Sequence, residues 1–182
     1  MTIPAEIQQL RSQMQQWRHH LHQFPETAFE ENLTSDYIAN LLREFGLEVH
    51  QGLGKTGIVA TVSNGTSEKK IALRADIDAL PIQEQNQLPY KSEHSGKMHA
   101  CGHDGHSAML LGAAAYLSQH RNFDGTVYLI FQPAEEGPSG AKKMIEEGLF
   151  ELFPAESVYG LHNMPGVPQG HFAVKSGAVM AS

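Results

Sequence analysis

The stretch GHSAMLLGAAAYLSQH, residues 105 to 120, limits the fold of this chain more than any other segment. It is apolar on nearly all sides, and a helix of that kind is buried rather than laid on a surface. Asp104, just before it, is placed to cap its start. The segments around it alternate in type. Ile7, Leu10, Met14, Trp17 and Leu21 recur at helical spacing as far as Phe24-Pro25, and Tyr37, Ile38, Leu41, Leu42 and Phe45 repeat the pattern up to Gly46. Two β-type runs follow, GIVATVS (57 to 63) and KKIALRAD (69 to 76), with NGTSEKK between them as a hairpin-like connection. Beyond the buried helix come GTVYLIFQ (125 to 132), a helix from Ser139 to Glu147 closed by Gly148, and the runs SVYGLH (157 to 162) and GHFAVKS (170 to 176). This order predicts an α/β fold with a largely parallel central sheet flanked by helices.

At 182 residues, 41% of them hydrophobic, the chain is long enough for one domain or part of one. Thirteen Lys and Arg against twenty Asp and Glu leave a net charge of -7, with no basic run to follow a phosphate backbone. Nucleic acid is not the expected partner. The amino terminus lacks the apolar core of a signal peptide, and the longest nearly apolar run, Met109 to Leu117, is too short to cross a bilayer. A cytoplasmic location without membrane contact is therefore expected. The single cysteine cannot form an internal disulfide, which agrees with a reducing compartment and leaves its thiol for packing, nucleophilic attack or metal binding.

That cysteine, Cys101, lies in MHACGHDGH (98 to 106) with three of the eleven histidines. Alone it would read as a small buried hydrophobe; beside His99, His103 and His106 in a glycine-bearing loop it reads as a ligand. In an extended segment residues two apart point to one side, so Cys101 and His103 can address one centre. Glu135 and Glu136 follow an apolar strand and QPA, so they leave the core at a strand end. If Glu136 binds a metal, Glu135 can face a water. His162 closes SVYGLH, and ligand sites of open α/β sheets collect at such carboxyl ends. Thiolate, imidazoles and carboxylate together suit zinc or a similar divalent ion. The cluster His19, His20 and His22, on a polar helix, reads as a solvated face or cap.

LRADIDALPI (73 to 82), MHACGHDGH, FQPAEEGPSGAKKMIEEG (131 to 148) and GLHNMPGVPQG (160 to 170), with LHQFPE (21 to 26) ahead of them, resemble successive blocks of one family. It is the hippurate hydrolase and N-acyl-amino-acid amidohydrolase group of the aminoacylase and glutamate carboxypeptidase metallopeptidases. The resemblance implies a cofactor of two divalent metal ions (Zn, Mn, Co or Ni), with Cys101 bridging and His103, Glu136 and His162 as further ligands. It implies Glu135 as general base, and Asp76 and Asp104 as acidic groups that orient ligands.

The activity so implied is hydrolysis of the amide bond of a small N-acyl amino acid (benzoyl, acetyl or aryl-acetyl) by a metal-activated water. The alternatives are a metallo-aminopeptidase or carboxypeptidase acting on small peptides, and a non-catalytic metal-binding fragment. A thiol hydrolase using Cys101 would leave Glu135, Glu136 and His162 without a purpose. Members of the family are about twice as long. Residues 1 to 182 are thus expected to be the amino-terminal part of the catalytic domain, ending before a smaller inserted domain. A further ligand would then come from beyond Ser182, the isolated chain would be inactive, and the full-length form would be a homodimer or tetramer.

Overall fold

The computed structural model describes residues 3–177. In chain order the elements are α1 (Ala5–Gln9), α2 (Arg11–Gln23), α3 (Asn32–Glu44), β1 (Glu48–Leu53), β2 (Gly57–Asn64), β3 (Lys70–Asp76), α4 (His103–Gln119), β4 (Gly125–Gln132), α5 (Gly140–Glu146), α6 (Leu149–Leu152) and β5 (Ser157–Gly160). The expected α/β architecture is present. The first predicted helix is interrupted at Leu10, where the backbone stays right-handed, so α1 and α2 are separated by a slight break.

The five strands form one sheet in the order β1-β2-β4-β3-β5. It is mixed rather than largely parallel: β3 runs parallel to both β4 and β5, whereas β1-β2 and β2-β4 are antiparallel. The NGTSEKK connection is not a hairpin, because β4 lies between β2 and β3. Asp124, at the turn into β4, accepts the Thr66 and Ser67 N–H groups at 2.8 Å each and fastens that connection across the sheet. β4 belongs in the centre because both of its faces are apolar. Val127, Leu129 and Phe131 join Trp17, Ile38, Leu42, Ile58, Val62 and Leu111 on the side of α2, α3 and α4. Tyr128 and Ile130 join Val59, Met144 and Leu149 on the side of α5 and α6. This two-residue alternation, buried on both sides, gives three layers. α4 carries ten buried residues, among them Leu111 and Ala114 with no exposed surface, as its all-round apolar character requires.

β1 was not anticipated. EVHQGL lacks a clean alternation because it is a half-exposed edge strand with a register shift between Gln51 and Leu53. Conversely, the expected strand over 170 to 176 is irregular and exposed, with Phe172 77% and Val174 94% accessible; among the described residues no strand pairs with it. Asp104 does not cap α4. Gly102, at φ 94°, precedes the helix, and the Asp104 side chain is turned inward. Among the described residues no helix is long and apolar enough to cross a membrane.

The parallel set β3, β4 and β5 ends on one edge of the sheet. From β3 the chain leaves through α4 on one face, and from β4 it leaves through α5 on the other. The connections diverge at this end of the sheet, the usual ligand position in such folds.

Candidate metal centre

Cys101, His103, Glu135, Glu136, His162 and Asp76 lie together at that end of the sheet. Cys101, His103 and His162 offer ligand atoms within 4.8 Å of one another; so do His103, Glu135 and Glu136, and so do Asp76, His103 and His106. His103 is common to all three groups. It is the first residue of α4 and has no exposed surface. Its Nδ1 donates to the Asp78 carbonyl at 2.9 Å and lies 3.2 Å from Asp78 Oδ1. A carbonyl only accepts, so Nδ1 carries a proton, and in the neutral ring Nε2 holds the lone pair. Nε2 is buried without a hydrogen-bond partner, facing Asp76 Oδ2 at 3.7 Å and Glu136 Oε1 at 3.8 Å. An orphaned imidazole nitrogen between two carboxylates is completed by a cation, and the thiol, imidazoles and carboxylates here fit a divalent first-row ion. Burial pulls the His103 pKa down, but the Asp78 hydrogen bond and the charges of Asp76, Asp78 and Glu136 outweigh it and raise the value.

Cys101 Sγ is 3.5 Å from His162 Nε2. Burial pushes the thiol up to about 12, and the carboxylates of Glu136, Asp76 and Glu135 add to the rise. A thiol so surrounded keeps its proton at neutral pH unless a metal cation displaces it.

His162 stands on an exposed segment, yet it is held from below. The next residue, Asn163, places its Oδ1 2.6 Å and its backbone nitrogen 3.2 Å from His106 Nε2. His106 Nδ1 donates to Asp76 Oδ1 at 2.7 Å, and Arg74 donates to Asp76 Oδ2 at 2.7 Å. Burial opposes ionisation of Asp76, yet the His106 hydrogen bond and the Arg74 guanidinium bring its carboxyl down to about 2. Gly102 lets the two segments meet, since a Cβ there would sit 2.5 Å from Asn163 Oδ1.

Asp76 therefore lies against the cluster, as expected of an orienting group. Asp104 does not: its carboxylate accepts from His22 at 2.9 Å and Arg18 at 3.1 Å, on the α2 side of α4. Asp78 is the carboxylate that orients His103. It had no assigned role, although its two-residue spacing from Asp76 in RADID puts it on the same side of the chain. His106, one helical turn after His103, was equally unassigned. His22, expected on a solvated face, is buried, with Nε2 3.1 Å from Glu84 Oε1. His99 is buried with both ring nitrogens unpartnered, and burial lowers its pKa to about 4, so it is a neutral neighbour of the site.

Residues 72–179 match peptidase family M20/M25/M40. The chain belongs to that family. The M20 chain is 52% identical to a hippurate hydrolase of Campylobacter jejuni over all 182 residues, which is 47% of that protein. It is 45% identical to an N-acetyl-L-cysteine deacetylase of Bacillus subtilis, covering 98% of this chain and 43% of the relative. A crystal structure from Bacillus subtilis described as a dinuclear metal binding peptidase of the M20 family superposes with a TM-score of 0.83 at 42% identity, covering 88% of this chain and 45% of that one. The M20 chain thus spans about half the length of the relatives it matches.

Proposed function

We propose that, in the whole protein, this site hydrolyses the amide bond of N-acyl amino acids. The observation that carries the reading is the orphaned Nε2 of His103, aimed into the cluster of Cys101, His162, Asp76 and Glu136. The likeness to a hippurate hydrolase and an N-acetyl-L-cysteine deacetylase supports the substrate class; the acyl group, benzoyl, acetyl or aryl-acetyl, stays open.

Cys101, His103, Glu136 and His162 would hold the two divalent ions. Such ions supply Lewis acidity, lowering the pKa of water and polarising the amide carbonyl. Glu135, exposed beside Glu136 at the mouth of the site, takes the proton from the attacking water and delivers it to the leaving amine nitrogen. Asp78 keeps the His103 proton on Nδ1, so Nε2 remains a donor atom. Asp76, through His106 and Asn163, holds the segment that carries His162. The elevated pKa of the Cys101 thiol counts against a thiol nucleophile. A cytoplasmic location and a homo-oligomeric full-length form belong to the same proposal.

Metal analysis and turnover of two variants test the roles. Glu135→Gln should keep its metals and lose about 10²- to 10⁴-fold in kcat on benzoyl-glycine or acetyl-amino acids. Glu136→Gln should lose metal as well. A Glu135→Gln protein that comes out metal-free would overturn the assignment.

A further inference from the structure

Glu31, just ahead of α3, has no exposed surface, and its pKa is raised by burial against the pull of its hydrogen bonds; it has no ion-pair partner among the described residues. Burying a carboxylate without a cation is unfavourable, and an apolar side chain would fill the place at lower cost. Its two oxygens are both used. Oε2 accepts the Thr56 hydroxyl at 2.7 Å, just before β2, and Oε1 accepts the Ala134 N–H at 2.9 Å.

Ala134 directly precedes Glu135. It is a non-glycine residue at φ 50°, in the sparsely populated left-handed region. Its carbonyl accepts the Gly140 N–H at 3.0 Å, and Gly140 lies so close that a Cβ would collide with the Pro133 carbonyl oxygen. Two residues on, the Glu136 N–H is taken by Asp78 Oδ2 at 2.9 Å. The turn is therefore held on both sides of Glu135, by Glu31 at Ala134 and by Asp78 at Glu136.

We propose that Glu31 is a positioning residue: it holds Ala134 in its left-handed conformation and so sets the direction of the Glu135 and Glu136 carboxylates. This rests on the reading of Glu135 as base and Glu136 as ligand. Glu31 touches no reacting atom and acts only through the backbone.

The test compares Glu31→Leu, Glu31→Gln and Thr56→Val with Leu47→Ala, a core truncation away from the site. Two readouts are taken on the metal-loaded whole protein: kcat and KM for benzoyl-glycine, and hydrogen exchange at the Ala134 amide. Misplacing a catalytic group by about 1 Å costs about 10²-fold, so Glu31→Leu should lower kcat by about 10- to 100-fold with KM little changed. Ala134 exchange should rise at least about 10-fold beyond the β4 amides, since its N–H is released locally. Glu31→Gln keeps the acceptor and should restore both values to within about 3-fold of the parent; Thr56→Val, which frees one oxygen, should fall between. A kcat loss matching that of Leu47→Ala, or a Gln variant as poor as Leu, overturns the proposal. If Glu31→Leu does not fold, unchanged kcat and Ala134 exchange in Thr56→Val do the same. If the parent hydrolyses no N-acyl amino acid, the functional reading fails, while Ala134 exchange still judges the clamp.

Discussion

Replacing His22 by Leu should be among the most destabilising single changes outside the apolar core. The His22 ring, 4% exposed in the last turn of α2, has Nδ1 2.9 Å from Asp104 Oδ2 and Nε2 3.1 Å from Glu84 Oε1. Both carboxyls have lowered pKa values despite their burial, so both accept and the ring carries both protons. Leu fills the space but strands the charges. Breaking a buried ion pair from one side costs about 3–5 kcal/mol. Asp104 retains Arg18, whose side chain is 48% exposed, and Glu84 retains the Ser92 N–H at 2.6 Å and Asn86 at 3.1 Å. The lower end, about 3 kcal/mol, is therefore expected, equivalent to a fall in Tm of roughly 6–12 °C for a chain of this size. The sign with pH follows from the shifts. The folded pKa of His22 is raised by the Asp104 hydrogen bond against burial, so its contribution is fully present below the unfolded value of 6.5 and is lost as pH rises through the folded value. The carboxyls contribute above their unfolded values of 3.8 and 4.5 and lose that as pH falls through their folded ones. The gap between parent and variant should be widest between pH 4.5 and 6.5 and shrink at higher pH. Urea unfolding followed by circular dichroism at about pH 5.5 and about pH 9 measures it. A gap below about 1 kcal/mol, or one that does not change with pH, would refute the charged bridge.

The high pKa of metal-free Cys101 means that alkylation by iodoacetamide at neutral pH should be slower than for an exposed thiol, and that loading with Co²⁺ should release a proton and give a thiolate charge-transfer band. Cys101→Ser should lack that band; its presence in the serine variant would exclude the thiolate as ligand. Gly102→Ala meets both a left-handed φ of 94° and Asn163 Oδ1. The backbone alone should cost about 1–2 kcal/mol, and displacement of the His162 segment should weaken metal binding, read by competition with a chromogenic chelator. Unchanged metal affinity would show that the two segments need not meet.

The residues proposed to do chemistry were legible because they sit in short runs at the ends of elements: Cys101 and His103 at the start of an all-apolar helix, Glu135 and Glu136 after GTVYLIFQ, and His162 at the end of SVYGLH. The groups that hold them were not. Asp78 reaches His103 across 25 residues, His106 reaches Asn163 across 57, and Glu31 reaches Ala134 across 103. No local periodicity records such separations. Asp104 illustrates the converse: a residue at a helix start reads as a cap, whereas a buried histidine on another helix claims it. The same limit applies to the sheet. Alternation identifies β2, β3 and β4 as strands but not as neighbours, so a connection that resembled a hairpin proved to straddle the central strand.

That central placement governs the order in which the molecule can assemble. β4 is the fourth strand to leave the ribosome, yet it is the only strand bonded to both β2 and β3. Until residues 125 to 132 emerge, the nascent chain holds three strands with open edges, β3 unjoined to β1 and β2, and an apolar helix, α4, without the central strand of the sheet it packs on. The key pairing, Asn64 with Gly125 through Ile58 with Phe131, closes loops of some sixty residues or more and is accordingly slow to nucleate. Glu135 and Glu136 follow β4 directly in the chain, and His162 follows β5, which pairs with the far side of β3. The groups of the candidate metal centre, drawn from both sides of β4 in the chain, can therefore meet only once β4 and β5 have joined β3.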